Sequence, residues 1–109
     1  MAKKNGIKKS ISLYISSIAR KFPIKQVVLF GSYAQGKPSE QSDIDLAVFS
    51  PKFSDKNHLK DVNFLWSEAA KIDSRIEPLP FSTAEIKNVD SRSFLAEILR
   101  SGKTVYKKT

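Results

Sequence analysis

Two short apolar runs, Val27 to Phe30 and Ile44 to Phe49, flank a polar segment punctuated by Gly31, Ser32, Gly36, Pro38, Ser39 and Ser42. Runs of this length, rich in β-branched and aromatic residues and bounded by turn formers, read as buried strands. A chain so patterned must hold two neighbouring strand ends around one loop. That requirement limits the fold more than any other feature.

The remaining periodicities supply the other elements. Ile11, Tyr14, Ile15 and Ile18 fall at helical spacing after Ser10, which is placed to cap, and the pattern stops near Phe22 and Pro23. Asp55 to Lys71 reads as the longest helix, with Leu59, Val62, Leu65, Trp66 and Ala69 along one face. Arg75, Ile76 and Glu77 read as a third short strand that Pro78 and Pro80 break. Ser82 or Thr83 is placed to cap a turn near Glu85. Phe94, Leu95, Ile98 and Leu99 mark a last helix stopped by Gly102, and Thr104 to Tyr106 is extended. Helices and strands alternate, which predicts an α/β (α+β) domain: one small mixed β-sheet with helices packed against it.

Size and composition bound the rest. A chain of 109 residues is expected to form one domain with a radius of gyration of about 13 Å. Cysteine is absent, which excludes disulfides, thiolate zinc sites and cysteine nucleophiles and fits a reducing compartment. No apolar run approaches the roughly 18 residues of a membrane span, so the expected location is cytoplasmic and no membrane partner is expected. The formal net charge is +8, and Lys3, Lys4, Lys8, Lys9, Lys103, Lys107 and Lys108 carry seven of those charges. The middle of the chain is therefore close to neutral. Such ends suit a polyanion or simple solubility. The expected layout is a basic tail at 1–9, one domain at 10–106 and a second tail at 107–109.

The chemistry concentrates between Gly31 and Leu46. Asp43 and Asp45 are two apart, and on a strand that spacing points both carboxylates to one face. Like charges so close raise each other's pKa unless a cation lies between them. Carboxylate oxygens without Cys or His favour Mg²⁺ or Mn²⁺. The alternative is that Asp43 caps the preceding turn and Asp45 lies at a solvated strand edge. Gly31 at the end of a buried strand allows a tight turn, and the N–H groups beyond it, with the Ser32 hydroxyl, suit an anion. No Gly-Lys-Ser/Thr follows, so the loop is not a Walker A motif.

In order and spacing, Gly31-Ser32, Gly36 and Ser42-Asp43-Ile44-Asp45-Leu46 resemble the signature of the minimal nucleotidyltransferases, small members of the DNA polymerase β-like superfamily. The resemblance runs from about Ile11 to Tyr106. It implies a nucleotide site at Gly31, Ser32, Ser42, Asp43 and Asp45, with two divalent metal ions on Asp43, Asp45 and a third carboxylate. Glu77 is the candidate for the third, with Asp73 as runner-up. It further implies transfer of a nucleoside monophosphate, AMP from ATP, to a hydroxyl of a partner protein, as the antitoxin paired with a helical HEPN toxin. Alternatives are an antitoxin that neutralises by binding alone, a transferase acting on a nucleic-acid end, and a basic nucleic-acid-binding module. A homo-oligomer is also compatible. The chain departs from many relatives in having Tyr33 and Gln35 where they carry arginine.

Other residues have plainer readings. His58 reads as a solvated histidine at a helix start. Arg75 faces either a phosphate or a neighbouring carboxylate, and Tyr33 either stacks on a base or wedges the loop. Lys37 beside Pro38 reads as a surface turn. Of Phe64 and Trp66, one is expected in the core and the other partly exposed. Ser42 is placed to hold the loop through a backbone hydrogen bond.

Overall fold

The computed structural model describes residues 2–36 and 42–108, with side chains from residue 7 onward. The expected turn at Lys37 and Pro38 lies outside the described residues. The elements are α1 (Ala2–Ala19), β1 (Gln26–Phe30), β2 (Ile44–Ser50), α2 (His58–Ile72), β3 (Ile76–Ser82), α3 (Ala84–Lys87), α4 (Phe94–Ser101) and β4 (Lys103–Lys107). The strands form one mixed sheet in the order β3-β2-β1-β4. β1 is antiparallel to both β2 and β4, whereas β2 and β3 run parallel. A parallel pair needs a crossover, and α2 supplies it. The radius of gyration is 13.3 Å.

Alternation along the strands divides the core in two. Val27, Leu29, Ile44, Leu46, Val48 and Ile76 face α1 and α2, meeting Ile11, Tyr14, Ile18, Leu65 and Ala69. Val28, Ala47 and Phe49 face the other way, against Leu95 and Ile98 of α4. Phe49 and Phe81 are register partners and stack with centroids 5.4 Å apart. The Tyr14 ring is fully buried, and its hydroxyl donates to the Leu65 carbonyl at 3.0 Å, tying α1 to α2.

Several expectations change. Helix α1 begins at Ala2, so it takes in most of the segment read as a basic tail, and Ser10 lies inside it. At 18 residues it is also longer than the 15-residue α2. Ser10 instead donates to Asp73 at 2.8 Å. The α2 face is turned from the expected one: Asp61, Leu65 and Ala69 are buried, while Leu59 is 73% exposed and Trp66 42% exposed. Phe64 packs partly on the core, its ring 5.3 Å from that of Phe22, which leaves Trp66 as the exposed member of the pair.

Strand β3 runs straight through Pro78 and Pro80. The Ile44 N–H donates to the Arg75 carbonyl at 2.8 Å, so odd-numbered residues of β3 turn their backbone groups toward β2. Both prolines are even-numbered and face the open edge, where a missing N–H costs no ladder bond. Gly102 ends α4 with φ −80°, an ordinary value. Its requirement is space: a Cβ there would lie 2.5 Å from both the Ile98 carbonyl oxygen and a Val28 methyl.

Candidate active site

The first strand ends at Phe30, and Gly31 takes a φ of +76°, a backbone region that suits glycine. The chain then makes one tight turn: the Gln35 N–H donates to the Gly31 carbonyl at 3.2 Å, and the Gly36 N–H to that of Tyr33 at 3.3 Å. Ala34 anchors this turn in the core while Ser32 stays exposed. Gly36 has a φ of +72° in open space. Gly31 also meets a packing limit, because a Cβ there would collide with the Asp45 carboxylate. The glycine turn and the second aspartate therefore occupy adjoining space.

The carboxylates come from the starts of β2 and β3. Asp45 and Glu77 are direct register partners across the parallel pair, where neighbouring strands lie about 4.8 Å apart. By alternation both fall on the α4 side of the sheet, the side of Phe49 and Phe81. Asp43 is exposed and hydrogen-bonds Glu77, which in its protonated form donates to it. Burial pushes the Asp45 pKa up, and the Asp43 charge adds to it. Burial is likewise the main cause of the raised Glu77 pKa, followed by the Asp43 hydrogen bond and the charges of Asp43 and Asp45.

Asp73 is engaged elsewhere. Its two oxygens accept from Arg75 Nε at 3.0 Å and Nη2 at 2.7 Å, a bidentate pair, and the Ser10 hydroxyl and Arg75 N–H add to it. The Arg75 hydrogen bonds hold the Asp73 carboxyl down at about 2. Arg75 Nη1 also donates to the Tyr33 hydroxyl at 3.5 Å. Tyr33 packs on the core, so ring and hydroxyl together wedge the glycine turn. His58 is exposed at the start of α2, away from the carboxylates.

The donor set suits a hard divalent cation: Asp43, Asp45 and Glu77 lie at the starts of two paired strands, and burial, with their like charges adding to it, raises the Asp45 and Glu77 pKa values. Among the described residues, the side chains are not already arranged as a three-ligand metal cage. Sequence reasoning did not find Asp61, which is buried in α2 without a partner for Oδ2. An acidic residue one position before the apolar Val62 gives no periodic signal.

Comparison with known proteins places the chain in a family and fold. Residues 14–109 match the family model described as polymerase beta, nucleotidyltransferase, and the chain belongs to that family. Two Methanocaldococcus jannaschii proteins, both provisionally named protein adenylyltransferases, are 36% identical over 52 residues and 40% identical over 42 residues. Those matches cover 48% and 37% of this chain, and the chain spans about half the length of these curated relatives, 49% and 42%. Among solved structures, a provisionally named Sulfolobus solfataricus nucleotidyltransferase superposes with a TM-score of 0.69 at 21% identity, covering 98% of this chain and 87% of its own. A toxin–antitoxin structure with AMP-PNP superposes with a TM-score of 0.58 at 20% identity, covering 94% and 74%. At such identities the superpositions establish the polymerase β-like fold. No helix among the described residues is long and apolar enough to cross a membrane.

Proposed function

We propose that this chain is a metal-dependent nucleotidyltransferase that moves AMP from ATP to a hydroxyl of a helical partner protein, acting as the antitoxin of a HEPN toxin pair. The observation that carries the reading is the register pairing of Asp45 with Glu77, joined by Asp43, against the Gly31 turn. The fold shared with a toxin–antitoxin structure holding AMP-PNP, and the adenylyltransferase names of the curated relatives, support the substrate and the partner.

Asp43, Asp45 and Glu77 would hold Mg²⁺ or Mn²⁺, two ions in all. Bound there, the metal supplies positive charge against the triphosphate and acidifies the acceptor hydroxyl. The residues of the chain do the remaining work. Gly31 and the N–H groups after it, with the Ser32 hydroxyl, receive phosphate oxygens, and Ser42 lies next to the first aspartate. Tyr33, held by Arg75, fixes the shape of the turn. The acceptor oxygen bonds the α-phosphorus in line, the bond from that phosphorus to the bridging oxygen breaks, and pyrophosphate leaves. The hydroxyl proton passes to a carboxylate of the cluster. Positioning supplies much of the rate in such a transfer, and a partner protein that presents its hydroxyl in line with the α-phosphorus supplies it here.

The test mixes the purified chain with the product of the adjacent gene, ATP and Mg²⁺, and weighs both proteins intact. The partner should gain one adenylate mass per transfer, and the gain should vanish with Asp43→Asn. A partner left unmodified yet fully inhibited by the Asp43→Asn/Asp45→Asn variant would replace the transferase with an antitoxin that works by binding.

A further inference from the structure

A cavity of about 450 Å³ opens at the far end of the same sheet, where β2 and β3 finish. The seven-residue strands put it about 20 Å from the aspartate pair. Asp55 lines it from the loop before α2, His58 and Asp61 from the start of α2, and Glu85 from α3. Phe53, Pro80 and Phe81 form its apolar walls. Asp61 is 4% exposed, and among the described residues its Oδ2 is the buried side-chain oxygen with no hydrogen-bond partner. A carboxylate taken out of water without a partner costs several kcal/mol unless a cation or donor reaches it. No lysine or arginine is among the described residues that line the cavity.

We infer that this cavity is a binding site for an alkylguanidinium group, free or as the arginine side chain of another protein. Three carboxylates approach, Asp55 from the loop before α2, Asp61 from α2 and Glu85 from α3, the last with one oxygen accepting from the Ser82 N–H at 2.7 Å, which suits the forked donors of a guanidinium. The flat apolar walls suit its planar face and its methylene stem. A bare metal ion would leave the apolar walls of Phe53, Pro80 and Phe81 unused, whereas an organic cation covers them. The chain is strongly basic overall, so recognition of a cation here must come from these local carboxylates rather than from the net field.

The experiment is a titration of the ¹⁵N-labelled full chain with agmatine, with N-acetylarginine amide, with butylammonium and with Mn²⁺. Saturable amide shifts confined to residues 53–61 and 80–85 are expected with the two guanidinium probes, and weaker ones with butylammonium. Asp61→Asn should weaken guanidinium binding about 10-fold or more. Its melting temperature should be no lower than that of the parent, because Oδ2 has no hydrogen-bond partner to lose. Should Asp61→Asn fail to fold, Glu85→Gln carries the same test. Equal or tighter affinity for N-acetylarginine amide assigns the site to an arginine side chain, and preference for agmatine assigns it to a free alkylguanidinium. Unsaturable shifts spread over the surface, unchanged affinity in the folded Asp61→Asn variant, or Mn²⁺ effects centred on residues 53–61 and 80–85 with none from the guanidinium probes would overturn the inference.

Discussion

At the scale of single residues, Gly31 answers two demands at once: a φ of +76° and the space beside the Asp45 carboxylate. Gly31→Ala should therefore destabilise the fold by about 1–3 kcal/mol, part strain and part collision. A double-mutant cycle with Asp45→Ala separates the two, because removing the carboxylate removes the collision and leaves the strain. Denaturant melts should show the pair costing less than the sum. Asp43→Asn and Asp45→Asn should abolish transfer while leaving the metal-free melting point unchanged or slightly higher, since each removes like-charge repulsion. A fall of many degrees in chelator would make these carboxylates structural.

Asp73 has the opposite electrostatic role. Its carboxyl is lowered to about 2 by Arg75, so it contributes stability above the ordinary aspartate value that is lost as pH falls from about 4 through 2. The Asp73 side chain is 13% exposed and that of Arg75 35%, so solvent screening trims the contribution to about 1–2 kcal/mol. Arg75→Gln should flatten that portion of the acid-unfolding curve relative to the parent. The sequence showed Asp73, Arg75 and Glu77 only as neighbours. Whether Asp73 pairs with Arg75 or joins the aspartates depends on Ser10, 63 positions away, whose hydroxyl helps hold it. No local pattern carries that information.

Among the elements, β1 and β2 were legible because burial on both faces writes a continuous apolar run. The path of β3 was not, since a proline reads as a break until the strand's place at the sheet edge is known. The α2 face was misread for a related reason: Leu59 and Trp66 extend an apolar stripe in the sequence, yet the helix is rotated so that Asp61 enters and they remain outside. Helix α4 follows its sequence closely. Ser93 Oγ accepts from the Ala96 N–H at 3.1 Å and itself donates to the Asp90 carbonyl at 2.7 Å. Ser93→Ala should cost about 1 kcal/mol, and Ser93→Asp should recover most of it in thermal melts. Because α4 covers Val28 and Phe49, such fraying would loosen the face of the sheet that bears the carboxylates.

For the whole molecule, the proposed nucleotide site lies at the end of the sheet where β2 and β3 begin, and its carboxylates repel. ATP should therefore bind weakly and only with Mg²⁺ or Mn²⁺ present. Calorimetric titration with and without chelator checks this, and equal affinity in both would separate nucleotide binding from the carboxylate cluster. The sheet order also sets a sequence of events during synthesis. Gly31, Asp43, Asp45 and Glu77 all emerge before β4, whose residues Tyr106 and Lys107 pair back to Val27 and Gln26 and whose neighbour Lys108 bonds the Lys25 carbonyl. Until then β1 is a raw strand edge, open to pairing with any other nascent chain. ATP with Mg²⁺, seated on a chain stalled before Lys103, should make it more resistant to protease. The bound nucleotide would thus serve as a clasp for an unfinished protein.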